Sequence, residues 1–500
     1  MNPLRRTPLV VPILIASVFF LIPVLFSLAL RSQSTLFELP LTEDGYYLLS
    51  VSRNIAMGHG ITIDGHQWTN GFQPLFAFLL VPIYAVLSGD RYASLHGVLA
   101  LHVLIHIATA FVLGSIVKTA LRSRGNEQGV LGYWLTVFLW LASRYVLTNS
   151  YNGLETGCVL FFYAIVWRLY QLNWLDGWKL FVFGVMLGLL VLARIDAAIF
   201  VAILSISELF RQNTSPPLKL KRAAAMASLS FAVSSPWWFY NLLSFGSLMP
   251  SSGTAQSAHF SLFRVVPMAQ SLLQVWTPYL QLRWIEGVPQ MLVQGCLVLI
   301  LVLLFRKNAF AEMEHSATLR MGGILLLSTF VLTLYYLFFF GAAHFYGRYL
   351  SPYMLLAIPL AVVALAGQRF HSRWYYAIIV PVGIFGLVSI IGWDFQVWVR
   401  KSPFPDQVQL VQTNVPVSEE VSAGQSGTLG YFRDHVVNLD GKVNVEALHY
   451  LNNSLEYLRR RDIHWYCDWE SGYLGLHPVE NGWTVVATRG RFLLYHHNSY

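Results

Sequence analysis

Apolar runs of near-membrane length recur through most of this chain, and their recurrence limits the available folds more than any single residue does. They lie near 9–30, 73–88, 93–119, 130–148, 156–172, 180–209, 223–243, 289–305, 321–341, 348–366 and 374–394. In a bilayer every backbone polar group must be satisfied within the protein, so such runs fold as helices of about 20 residues. Composition agrees: of 500 residues, 55% are hydrophobic and only 12% charged, with a mean hydropathy of +0.52. Ordinary globular domains carry about 25% charged residues. A soluble multidomain enzyme and a disordered chain are both excluded, which leaves a polytopic membrane protein.

The formal net charge of +8 comes from short basic clusters between the runs. Lys118, Arg122 and Arg124 form one, Arg168 and Lys179 a second, and Arg211, Lys219, Lys221 and Arg222 a third; Arg306, Lys307, Arg320, Arg369 and Arg373 complete the set. This is the pattern of the positive-inside rule and requires no nucleic acid. All the clusters fall on the cytoplasmic side under two conditions. The run 73–88, which starts at Gln73-Pro74 and contains Pro82, must be a juxtamembrane or re-entrant segment, and 180–209, interrupted by Arg194-Ile-Asp196, must cross twice. The expectation is then eleven spans with the N-terminus inside and the C-terminus outside. Arg5-Arg6 followed by a run too long for a cleaved signal peptide reads as a signal anchor. Cys158, Cys296 and Cys467 offer neither metal spacing nor a disulfide framework.

Three outer features follow: a first loop over 31–92, a loop over 244–289 and a soluble tail over 400–500. The tail alternates strand-like runs (Val436–Leu439, Trp483–Ala487, Phe492–Tyr495) with a helical stretch over Glu446–Arg461, which predicts a small α/β domain. The division is therefore a transmembrane part, 1–399, and an extracytoplasmic part, 400–500. No internal repeat is visible, which weakens a transporter built from duplicated halves.

Ionisable groups near an apolar core are costly, so their placement is informative. Glu43, Asp44, Glu155, Asp196, Arg194, His344 and Arg348 all gather at the outer ends of spans. Charges that cap one face favour a site at the outer interface over a pathway through the membrane. The first loop contributes most. Thr42 is a candidate N-cap, Tyr47, Val51 and Ile55 repeat at i+4, and Gly58 suits the C′ position. They predict a short amphipathic helix along the membrane with two carboxylates in its first turn. The helix dipole there favours the anionic form, suited to take a proton from an acceptor hydroxyl; the alternative is that these acids only cap the helix.

The acid pair after the first span is followed in order by Arg53-Asn-Ile-Ala-Met-Gly-His-Gly60, Thr69-Asn-Gly-Phe-Gln-Pro-Leu75, Asn152-Gly-Leu-Glu-Thr156, Leu192-Ala-Arg-Ile-Asp-Ala197, Pro236-Trp-Trp-Phe-Tyr-Asn241 and Arg348-Tyr-Leu-Ser-Pro352. In these motifs the sequence resembles the GT-C superfamily of membrane glycosyltransferases, which use polyprenyl-phosphate sugars. In the tail, Gly430-Tyr-Phe, Val437-Asn-Leu-Asp-Gly441 and Asn444 look like bacterial members, particularly terminal arabinofuranosyltransferase-like proteins of cell envelopes.

The resemblance implies an inverting transferase of the bacterial inner membrane, with Asp44 as catalytic base and Glu43 as the alternative. It implies binding roles for Glu155, Arg194, Asp196, His344, Arg348, Tyr349, His59, Asn70 and Gln73, with Arg348 and Arg194 on the leaving phosphate. The implied partners are a polyprenyl-phosphate sugar, an envelope glycan, lipid or protein acceptor, and the bilayer. No cofactor is required. A divalent cation held by Asp44, Glu155 and His344 stays open, although their spacing is a poor metal signal. Arg194-Ile-Asp196 departs from the family's Arg-Pro-acid pattern. The rival from another class is a transporter or flippase of a lipid-linked sugar. His102 and His106 read as packing residues, Trp237 and Trp238 as interfacial anchors, and Arg459–Arg461 as a solvated face.

Overall fold

The computed structural model describes residues 10–30, 32, 40–122, 126–279, 287–313, 317–366, 384, 388, 402–470 and 476–498. Apart from Ile384 and Val388, the expected span 374–394 lies outside the described residues, as do Arg5, Arg6, Arg124, Arg369 and Arg373. The chain is mainly helical, with a small sheet near its C-terminus. Among the described residues three helices are long and apolar enough to cross a membrane, Val10–Leu30, Arg91–Ala120 and Ala317–Phe339. A fourth joins them if the pair Glu127–Ala142 and Arg144–Ser150, bent by 60°, is one span.

The segment 73–88 forms the helix Pro74–Val86. Its 13 residues rise about 20 Å, short of the ~30 Å hydrocarbon core. The run 180–209 is split by Arg194, whose extended backbone (φ −156°, ψ 125°) ends the helix Gly177–Ala193 before a 3-10 turn and the helix Ala198–Leu209. Arg222 Nη2 meets Asp176 Oδ2 at 2.6 Å, Gly184 lies against Leu229 and Gly188 against Val233. The helices Gly177–Ala193 and Pro216–Phe245 therefore start together and run the same way, and Ala198–Leu209 must run back between them.

The polar side chains collect at two opposite ends of the bundle. At one end Arg168 donates to Thr119, Gln171 to Thr318 and to the Ile116 carbonyl, and Tyr170 to the fully buried Glu208, which Arg211 and Arg320 also approach. Glu43, Asp44, Glu155, Arg194 and Arg348 lie toward the other. The basic residues Arg168, Arg211, Arg222 and Arg320 are thus at one end and the acid pair at the other.

The tail carries a five-stranded mixed sheet in the order β2-β1-β3-β5-β4. Strands β1 (Val421–Ala423), β2 (Val436–Asn438) and β3 (Trp465–Trp469) are parallel neighbours, and β5 (Phe492–His496) pairs antiparallel with β3 and with β4 (Thr484–Arg489). Two of these, β1 and β3, have no counterpart in the expected strands. The expected helix Glu446–Arg461 is instead two short helices, Val445–Leu448 and Ser454–Arg460. The break falls at Asn452-Asn453, where Asn side chains favour turns over helix interiors.

The sheet does not stand apart from the helices. Helix Gly427–Phe432 presses against the acid-bearing helix Glu43–Ala56, with Tyr431 and Phe432 around Tyr46 at ring distances of 5.2 and 5.8 Å. Tyr431 also donates to the Arg91 carbonyl at 2.7 Å. One hydrophobic core runs through both parts. The acid-bearing helix is consequently buried on nearly every face and is covered by the tail, where an amphipathic surface helix was expected. Trp237 likewise packs against Phe72 and Tyr240 and is 4% exposed, so it does not serve as an exposed anchor.

Candidate active site

Two sequence motifs lock together to place the acids. Thr42 occupies the N-cap position of Glu43–Ala56, but its hydroxyl does not cap the helix. It donates to the Asn152 carbonyl at 3.0 Å, as does its backbone amide. Gly45 then lies flush on Asn152-Gly153: a Cβ there would come within 2.5 Å of the Asn152 carbonyl. The first turn of one motif is thereby fixed against the other, and Asp44 comes to share a cavity with Glu155. Both acids stand in the helix's first turn, as expected.

Asp44 forms part of the wall between two cavities. The smaller, about 70 Å³, is lined by Asp44, Glu155, Gln73, Arg348 and Tyr349 among others. The larger, about 650 Å³, is lined by Asp44, Glu43, His344, Gln425 and Asn452. Gln256 and Lys442 line both.

Lys442 comes from the tail, and its ammonium stands 3.0 Å from Asp44 Oδ1 and 3.2 Å from Asp440 Oδ2. A tight turn delivers it. Gly441 has φ +73°, the amide of Lys442 donates to Asp440 Oδ1 at 2.9 Å, and Ser251 Oγ donates to the Lys442 carbonyl at 2.7 Å. Tyr47 Oη donates to Asp440 Oδ2 at 3.3 Å and accepts from Asn438 Nδ2 at 3.0 Å. Burial pushes the Asp440 carboxyl above its ordinary value, opposed by Lys442.

The neighbouring acid has different surroundings. The Glu43 carboxylate accepts from the Gly427 amide, the Thr428 amide at 2.9 Å and the Thr428 hydroxyl at 2.5 Å. Burial nevertheless outweighs these bonds and raises its pKa to about 7. Glu43 therefore fastens the tail to the acid-bearing helix, whereas Asp44 faces both cavities.

Arg348 is the cation of the smaller cavity. Its Nη2 donates to Tyr349 Oη at 3.0 Å and its guanidinium lies over the Tyr349 and Phe345 rings at 4.9 and 5.0 Å. Its Nε and Nη1 are buried without a hydrogen-bond partner among the described residues. Such groups are costly unless a ligand completes them.

Arg194 sits behind this wall and lines neither cavity. It is 3% exposed, paired with Asp196 and donating to Tyr336 Oη at 2.9 Å, with its guanidinium 4.8 Å from the Tyr349 ring. Asp196 accepts from Tyr336 as well. The pair braces Tyr349 and, through it, Arg348. Gln73 accepts from the Ile195 amide at 3.1 Å, and Asn70 accepts from the Ser251 amide at 3.1 Å. Asn70 thus supports the segment that meets Lys442. His344 faces the larger cavity, where burial lowers its pKa. His59 is exposed in the loop after the acid-bearing helix and lines neither cavity.

Sequence reasoning missed Lys442, Asp440, Gln256 and Tyr47. The Asp440-Gly441-Lys442 sequence directly after a strand carries a turn signal. Nothing in it says that the turn folds onto Asp44, which is 398 residues away.

The residues suggested for a divalent cation do not converge. Glu155 lines the smaller cavity and His344 the larger, while Asp44 is already paired with Lys442. No group of three or more His, Cys, Asp or Glu side chains among the described residues is arranged to hold a metal. The donors present among the described residues therefore do not fit a cation.

No family model matches the sequence, and no curated protein does. Solved structures do match. ArnT from Cupriavidus metallidurans bound to undecaprenyl phosphate superposes with a TM-score of 0.63 at 13% identity, covering 97% of this chain and 98% of that one. The apo form of ArnT gives 0.61 at 12% identity over 96% and 97% of the two chains. The archaeal oligosaccharyltransferase AglB from Archaeoglobus fulgidus, in complex with an inhibitory peptide and a dolichol-phosphate, gives 0.46 at 13% identity over 92% and 69%, too distant to carry an argument. At these identities the likeness to ArnT shows the fold alone. The chain shares the fold of ArnT over nearly its whole length.

Proposed function

We propose that this protein is an inverting glycosyltransferase that moves a sugar from a polyprenyl-phosphate donor to an envelope glycan, lipid or protein acceptor. One observation carries the reading. A carboxylate at a helix start divides two cavities, and one of them contains an arginine with two buried guanidinium nitrogens that have no partner among the described residues. A donor phosphate supplies what Arg348 lacks. The ArnT match, a structure holding undecaprenyl phosphate, supports a lipid-linked donor.

In the reaction the acceptor oxygen forms a bond to the anomeric carbon as the bond from that carbon to phosphate breaks. The acceptor proton goes to Asp44 and then to solvent, and polyprenyl phosphate leaves with its new charge against Arg348. General-base help of this kind is worth about 10²–10⁴ in rate. Glu43 is the weaker candidate for the base because three hydrogen bonds to the tail occupy its carboxylate. Glu155, Gln73 and Tyr349 are assigned to the donor side, and His344 to the larger cavity.

We assign residues 1–399 to a transmembrane catalytic part and 400–500 to an extracytoplasmic α/β domain, with eleven spans and a cytoplasmic N-terminus in the bacterial inner membrane. The separation of the basic end from the acid end supports this orientation.

The deciding experiment gives purified protein in lipid radiolabelled polyprenyl-phosphate sugars from its host, and follows both transfer to envelope glycans and movement of the lipid between leaflets. Transfer without movement supports the enzyme. Movement without transfer overturns it in favour of a flippase.

A further inference from the structure

In the resting site Asp44 is not free to act alone, because a lysine from the tail holds it. We propose that Lys442 is a donor-sensing residue: it pairs with Asp44 when the site is empty and transfers to the phosphate of the bound lipid donor, leaving Asp44 to accept the acceptor proton. This deepens the transferase reading above and rests on it.

Three observations support the transfer. First, Lys442 lines both cavities, as Asp44 does, so its ammonium is already at the boundary a donor phosphate would approach. Second, the ammonium has two carboxylate partners, Asp44 at 3.0 Å and Asp440 at 3.2 Å. Asp440 is 3% exposed and held by Tyr47 and the Lys442 amide, so it keeps Lys442 in place when Asp44 is released. Third, the backbone of the turn is fixed to the helical part. Ser251 donates to the Lys442 carbonyl, and Gly71 approaches that carbonyl so closely that no side chain would fit between them. A rigid turn carrying a flexible four-carbon stem suits a charge that must swing over a short distance while its Cα stays fixed.

The charge balance also favours an incoming anion. Besides Lys442 and Arg348, the smaller cavity holds Asp44 and Glu155. With Lys442 on Asp44, Arg348 is the cation left facing Glu155. A phosphate arriving beside Arg348 adds negative charge next to Asp44, and the shared lysine is the group able to offset it. Lys442 forms no covalent bond and gives up no proton in this exchange.

The role assigns work to the tail. It supplies a charged side chain to the reaction centre, besides covering the acid-bearing helix.

The test uses full-length protein in nanodiscs and reads binding by intrinsic tryptophan fluorescence, with a long-chain polyprenyl phosphate, the matching polyprenol and inorganic phosphate as probes. Lys442→Met should weaken polyprenyl-phosphate binding about tenfold or more and leave polyprenol binding unchanged. Lys442→Arg should restore most of the loss. Inorganic phosphate should compete for the wild-type site only weakly, since the lipid tail supplies the remaining affinity; competition as strong as that of the lipid would overturn the lipid as the source of the phosphate. In turnover, Lys442→Met should raise the donor KM and lower kcat together, and Lys442→Arg should recover KM first.

Should Lys442→Met fail to dock the tail, as judged by protease resistance, Asp440→Asn keeps the lysine and removes its anchor; it should weaken phosphate binding severalfold with the tail still docked. Unchanged polyprenyl-phosphate binding in Lys442→Met, with wild type active, overturns the role of Lys442 alone. Wild type that binds through Lys442 but transfers no sugar overturns the transferase and keeps the phosphate contact.

Discussion

A Cβ built on Gly71 would stand 1.9 Å from the carbonyl oxygen of Lys442 and 2.9 Å from Ser251 Oγ. The glycine thus lets a loop of the helical part meet the tail at the turn that delivers a lysine to Asp44. Overpacking a close contact typically costs about 1–3 kcal/mol, and here relief requires the Lys442 turn to move. Gly71→Ala should therefore lower the apparent Tm by several degrees and cut sugar transfer more than tenfold, with helix content by circular dichroism unchanged. Full activity in Gly71→Ala would show that the turn has no need of its position.

Asp44 and Glu43 are adjacent in the chain and differ in what surrounds them. Asp44→Asn removes the proton acceptor while keeping volume, so transfer should fall by about 10²–10⁴ with donor binding retained. Glu43→Gln should keep most of the activity, because its one amide oxygen can still accept from the Thr428 amide and hydroxyl, with only the Gly427 amide losing its acceptor. Measured transfer rates for the two variants separate them directly, and a larger loss in Glu43→Gln would reassign the base.

Much of this was readable in the sequence for identifiable reasons. The acid-bearing helix follows from the i+4 spacing of Tyr47, Val51 and Ile55, and the break at Arg194 from a charged tripeptide inside an apolar run. Contacts between distant segments left no such trace. Glu43 looks like a second site acid until Gly427 and Thr428 are seen to cover it, and Lys442 is one basic residue among many until its turn meets Gly71. Arg194 and Arg348 looked equivalent as phosphate ligands; only their partners distinguish a brace from an unpartnered donor. The strands β1 and β3 were missed because Val421–Ala423 is very short and Trp465–Trp469 carries a buried Asp468, which reads as polar. That carboxylate is satisfied by the Gly424 and Trp469 amides.

The Glu43 clasp should respond to pH. Its folded pKa is raised by burial from an ordinary 4.5 to about 7, so the folded state binds this proton more tightly than the unfolded chain. Stability therefore falls as pH rises from about 4.5 to about 7 and levels off above, with a total on the order of 3 kcal/mol from 1.4 kcal/mol per unit. The apparent Tm of the full chain should drop between pH 5 and 7.5. Glu43→Gln, which cannot ionise, should flatten that part of the profile; an equal slope in both proteins would place the titrating group elsewhere.

Arg348 presents two guanidinium nitrogens, Nε and Nη1, that have no partner among the described residues, and a departing phosphate would satisfy them most fully as its charge develops. Removing such a donor from a site of developing charge commonly costs about 10²–10³ in kcat. Arg348→Gln should show a loss of that size in kcat with a smaller rise in donor KM, since the contact strengthens toward the transition state. Arg348→Lys keeps the charge but loses the forked geometry and the stacking on Tyr349 and Phe345, so it should recover only part of the rate. Arg194→Lys disturbs the brace behind Tyr349 and should lower kcat less than Arg348→Gln does. Steady-state kinetics of the three variants with one donor order these effects. A greater loss in Arg194→Lys than in Arg348→Gln would make Arg194 the phosphate ligand and Arg348 its support.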